Sequence, residues 1–110
     1  MAFKAALIVM APDGNPERHR ASIQTPKLEL TIVVTRLMDF DLAANICADL
    51  VQNHGIQSIV LCPGFTHTGV ARIVSAVGEA VPVSVARSDV PGTMATAESL
   101  GHAGWFPGAN

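Results

Sequence analysis

Ser58-Ile-Val-Leu-Cys-Pro-Gly-Phe-Thr-His-Thr-Gly-Val-Ala-Arg72 reads as a buried strand, a sharp glycine turn and the start of a helix. Three features carry that reading. The aliphatic run Ile59-Val-Leu61 has no polar alternation, which suits a strand covered on both faces. Pro63 and Gly64 break it. Val70, Ile73, Val74 and Val77 then follow at helical spacing, and Gly78 closes the helix. A strand feeding a helix through a tight turn is the repeating unit of a parallel α/β sheet.

The same alternation extends in both directions. Residues 4–10 form a first aliphatic strand, and Asp13-Gly14-Asn15-Pro16 is a turn. Asn15 and Pro16 suit the N-cap and first position of a helix, expected over residues 17–24 and stopped by Pro26. Residues 28–35 are rich in β-branched side chains and form a second strand. Asp39 caps a longer helix whose apolar face is Leu42, Ile46, Leu50 and Val51, with Gly55 as its left-handed stop. The third strand is 58–61 or 58–62, and the fourth covers 81–86, with Pro82 near its start. Pro91-Gly92-Thr93 is expected to turn into a last short helix over 94–100. The fold expected is therefore a single small α/β domain, residues 1–101, in βαβαβαβ order. Its sheet is four-stranded and mainly parallel, with helices packed on it. Residues 102–110 form a tail holding Trp105 and Phe106, read as an oligomer-docking arm or a lid.

Composition narrows the function classes. The chain has 110 residues, 49% hydrophobic and 15% charged. That charge content falls below the roughly 25% usual for soluble domains. Burial of surface in a homo-oligomer, a dimer or larger, explains the deficit and covers the edges of a small sheet. Seven basic and nine acidic residues leave a net charge of −2 with no basic stripe, which argues against nucleic acid. No apolar span approaches the ~20 residues a bilayer needs, so no membrane is expected. Cys47 and Cys62 lack disulfide or zinc spacing, and a reduced, cytoplasmic protein without metal or cofactor is the expectation.

The loops after parallel strands gather on one rim, where ligands bind in open α/β sheets. Here they bring together Asp13 and Arg20, then Cys62 and the 64–69 turn, then Arg87 and Asp89. The backbone N–H groups at the start of the helix after Cys62 suit a carboxylate or phosphate, and Arg87 adds a bidentate donor. His67, in or beside the first turn of that helix, is the expected acid/base residue; its plain alternative is a solvent-facing cap. Cys62 is a second catalytic candidate, weighed against the commoner role of a small buried hydrophobe. Gly64, Phe65, Thr66, Thr68 and Gly69, with Asp13, Arg20 and Arg87, complete the expected ligand-binding set. Thr66 and Thr68 also serve simply as helix caps, and Arg87 and Asp89 are placed to pair with each other. No P-loop or dinucleotide fingerprint is present.

Pro16-Glu-Arg-His-Arg20 and Gly64-Phe-Thr-His-Thr-Gly69, after an aliphatic first strand, resemble a family of short, mostly bacterial, uncharacterised proteins of about this length. The likeness spans residues 1 to about 90. It implies this fold and points to His67, and it implies no activity. Family members often carry a further glycine where this chain has Pro63.

Three functions fit. The first is a small cofactor-independent lyase, isomerase or hydrolase acting on an anionic carbonyl compound. The second is a non-catalytic module binding an anionic metabolite or nucleotide. The third is a structural oligomer.

Overall fold

The structure, a computed structural model, describes residues 1–106. Its elements run β1 (Phe3–Ala11), β2 (Arg20–Gln24), β3 (Leu28–Arg36), α1 (Phe40–His54), β4 (Ser58–Leu61), α2 (His67–Val77), β5 (Val83–Val85) and α3 (Val90–His102). The five strands form one sheet in the order β2-β3-β1-β4-β5. β3, β1, β4 and β5 are parallel, and β2 joins the edge antiparallel to β3. The expected α/β class holds, with one strand more than expected. Among the described residues no helix is long and apolar enough to cross a membrane.

The extra strand replaces the expected helix at 17–24. Asn15 does start a turn: its carbonyl accepts from the N–H groups of Arg18 and His19, and its Oδ1 accepts from Glu17 N. The turn ends there, because Arg20-Ala-Ser-Ile-Gln24 alternates polar and apolar residues with period two and pairs with β3. The last helix also differs. It begins at Val90, since Pro91 falls within its first turn, where no backbone donor is needed.

Caps elsewhere follow the sequence. Asp39 Oδ1 accepts from Leu42 N at 3.0 Å, and Gly55 adopts φ 70° at the end of α1. The Leu42 N–H, aided by the Arg36 guanidinium, holds the Asp39 carboxyl below its ordinary pKa. Gly78 N donates to Val74 O and closes α2.

Both helices of the sheet layer lie on one face. β3–α1–β4 and β4–α2–β5 step across the sheet in the same direction, and right-handed crossovers then share a side. Ala6, Ile8 and Met10 of β1, with Val33, Ile59 and Leu61, pack there against Ala43, Cys47 and Leu50 of α1 and Ile73 of α2. The connection from β1 to β3 carries a strand and no helix, so the opposite face has no helical layer. That face presents Ala5, Leu7 and Val9 of β1, Leu30, Ile32 and Val34 of β3, Val60 of β4, and Ala21 and Ile23 of β2. Arg18 and His19 border that side at its β2 edge, beside Ala21, Ile32 and Val34, and Arg36 ends β3.

Two positions on the helical side are tightly specified. A Cβ on Gly14 would lie 2.1 Å from the carbonyl oxygen of Thr35, so only glycine lets the turn after β1 cross the end of β3. Thr35 itself is fully buried, with no partner for its hydroxyl among the described residues. Gly14→Ala is expected to lower stability by about 2–3 kcal/mol in urea unfolding, because backbone must move. Thr35→Val, in the same assay, is expected to be neutral or to stabilise by about 1 kcal/mol.

Candidate functional site

The chain leaves central β1 for β3 on one side and later returns to β4 on the other. A crevice outside the strand ends is expected at that reversal. A cleft of about 500 Å³ occupies it. Val9 and Met10 form its floor, Leu37 from the β3–α1 loop one side, and Cys62, Pro63 and Gly64 another. The β5–α3 loop supplies Arg87, Ser88 and Asp89. Gly92, Thr96 and Leu100, one turn apart on α3, make the outer wall, and Trp105 closes it.

The β4–α2 loop is held by backbone. Cys62 N donates to Ile8 O at 2.9 Å, extending the ladder one residue beyond β4. Phe65 N donates to Cys62 O at 3.2 Å, and the Phe65 ring is buried with its centre 5.8 Å from that of Phe40. Thr66 Oγ1 accepts from Gly69 N at 3.1 Å and caps α2. A Cβ on Gly69 would lie 2.6 Å from the Phe40 ring, so that glycine permits close packing at the start of α2. Phe65, Thr66 and Gly69 are thus builders of the turn.

The remaining expected residues part company. Cys62, Gly64 and Arg87 line the cleft. His67 is the first residue of α2 and is exposed outside the cleft. Thr68 borders a separate depression with Asp41 and Arg72, which form an ion pair between α1 and α2. Asp13 is exposed in the turn after β1, away from the cleft lining. Arg20 lies on β2, its Nε donating to Pro16 O at 2.7 Å. It shares a cavity with Lys4, Glu29 and His54 near the C-terminal end of α1. The expected rim cluster is therefore dispersed, because β2 carries Arg20 to the sheet edge. Of the expected tail, His102 ends α3 and Trp105 lines the cleft, while residues 107–110 lie outside the described residues. Leu37, Thr96 and Leu100 were not expected; the four-residue spacing of Gly92, Thr96 and Leu100 is the signal that marks the last two.

Arg87 Nε donates to Asp89 Oδ1 at 2.6 Å, the pair anticipated from sequence. Both side chains are largely exposed, so the pair contributes little stability. It places one cation and one anion at the cleft, whose walls are otherwise mostly apolar. Among the described residues no group of three His, Cys, Asp or Glu side chains is arranged to hold a metal.

The two thiols occupy different surroundings. Cys47 is fully buried in α1, and burial pushes its pKa up to about 12. Cys62 is half-buried at the cleft. Iodoacetamide at pH 8 is expected to alkylate Cys62 well before Cys47, whose thiolate is scarce below pH 12. Peptide mass spectrometry against time reads the order, and Cys47 should react only once urea unfolds the chain.

Residues 3–99 match the model of a family described as one of unknown function, DUF6506. No curated protein and no solved structure matches the chain.

Proposed function

The chain belongs to the DUF6506 family of unknown function, and from its cleft we propose that it binds a small organic molecule with an apolar body and one anionic end. The observation that carries this reading is the cleft's position and lining. It lies at the strand reversal, the place where open α/β sheets take ligands. Its apolar walls, Val9, Met10, Leu37, Leu100 and Trp105, suit a hydrocarbon or aromatic body. Arg87 uses Nε on Asp89, and its terminal nitrogens remain for a carboxylate or phosphate. A reducing compartment, the cytoplasm, keeps the cleft thiol free.

Catalysis is the second reading, and one observation favours it: Cys62, a nucleophile, lines the cleft. Acid/base chemistry by His67 requires a substrate that reaches the exposed first turn of α2 as well.

A thermal-shift screen of amphiphilic carboxylates and phosphates tests the binding reading. Hits should stabilise the wild type. Arg87→Ala should weaken a hit about 10-fold, the loss expected for one charge-assisted contact, and Trp105→Ala should weaken it too. His67→Ala should leave binding unchanged. Loss of binding in His67→Ala alone would move the site to the α2 turn. Turnover of a hit that disappears in Cys62→Ser would establish the enzyme.

A further inference from the structure

We infer that a second copy of this chain covers the open face of the sheet, and that the protein works as a homo-oligomer built on that face. The inference stands apart from the ligand reading, since the face lies outside the cleft lining except at Val9.

The choice of side chains on β2 carries the argument furthest. Every residue of β2 is exposed. Its register with β3 puts Arg20, Ser22 and Gln24 on the side of the helices, beside Val33, Thr31 and Glu29. Ala21 and Ile23 point the other way, beside Ile32 and Leu30. A strand with solvent beyond its open face carries its polar residues there. β2 does the reverse. The row Ala21, Ile32, Leu7 and Val60 then runs unbroken across four strands. Ile23 is 56% exposed and Phe3, at the start of β1, 49%.

The occupant follows from charge and area. Charge is confined to the margins of the face, with Arg18 and His19 beside Ala21, Ile32 and Val34 at the β2 edge and Arg36 at the end of β3; its apolar centre is complementary to another surface like itself. Five strands at ~4.8 Å spacing, about six residues long, give a footprint of roughly 400 Å². That is short of the ~800 Å² of accessible surface per partner in a standard interface. The same chain carries a second unpartnered apolar surface. α3 has no buried side chain, and Val90 and Met94, four residues apart, are 85% and 84% exposed. A 13-residue helix adds roughly 200 Å² of footprint. One chain thus has a sheet face without a helix and a helix without a sheet, and engaging both gives roughly 600 Å² per copy, the lower end of the ~1,200–2,000 Å² total of specific interfaces. The low charge content of the whole chain, 15%, accords with this.

The test is sedimentation equilibrium of the full chain, with Phe3→Glu, Ile23→Glu and Ser22→Glu. Phe3 and Ile23 are about half exposed within one chain, so glutamate there leaves each folded copy intact, which circular dichroism checks. The wild type is expected to be a dimer or larger at micromolar concentration. Phe3→Glu and Ile23→Glu should each weaken association at least 10-fold. Ser22→Glu, on the other face of the same strand, should leave it unchanged. A wild type that is monomeric at 50 μM overturns the inference. So does association that survives both open-face variants. A monomer that binds uncharged phosphatidylcholine vesicles through this face overturns it in favour of a lipid surface.

Discussion

The handedness of the strand connections governs this molecule. A right-handed crossover returns its helix to one side of the sheet when the chain steps one way, and to the other side when it steps back. From β3 onward the chain steps one way only, so α1 and α2 share a face and pack against each other. The single backward step, from β1 to β3, is where a helix for the other face belongs. The chain spends that step on β2. The one-sided core, the bare face and the position of the cleft all descend from this substitution.

The backward step also makes the cleft. β1 sits between neighbours whose connections leave in opposite directions, and the loops above it part. In a fuller fold the loops alone shape such a crevice. Here α3 and Trp105 supply a wall, and they do so without burying a side chain in the core. The floor is rigid: Met10 is buried and Cys62 is tied to Ile8 by a backbone hydrogen bond. The wall is anchored lightly. A cleft with a fixed floor and a lightly anchored wall changes its width without disturbing the core.

Much of the layout was legible in the residues, for identifiable reasons. Long apolar runs at 4–10 and 58–61 and the capped helix after Asp39 agree at every level, from propensity to pattern to caps, and they appear as read. The segment 17–24 misled because Asn15-Pro16 is a sound helix start, and one turn does form. What stops it is pairing with β3, a contact distant in sequence, together with a period-two pattern only five residues long. The cleft was legible in location but not in its full lining. Strand ends were placed well enough to put Cys62, Gly64 and Arg87 beside it. The direction of side chains around the α2 turn depends on Phe65 anchoring against Phe40 and on Thr66 taking the cap, and this leaves His67 on the outside. No spacing rule encodes that anchoring. α3 was read short because Pro91-Gly92 resembles a turn until a helix is known to start one residue earlier.

The light anchoring of α3 bears on energetics away from the core. Cooperative units of a fold open with free energies set by the contacts they must break, and α3 breaks few. Its detachment is therefore a subglobal event, separable from unfolding of the sheet. Any molecule that touches both Met10 on the floor and Leu100 on the wall binds only the attached form. Its apparent affinity is scaled by the fraction of chains in that form, and occupancy at the cleft reports on the order of the C-terminal helix.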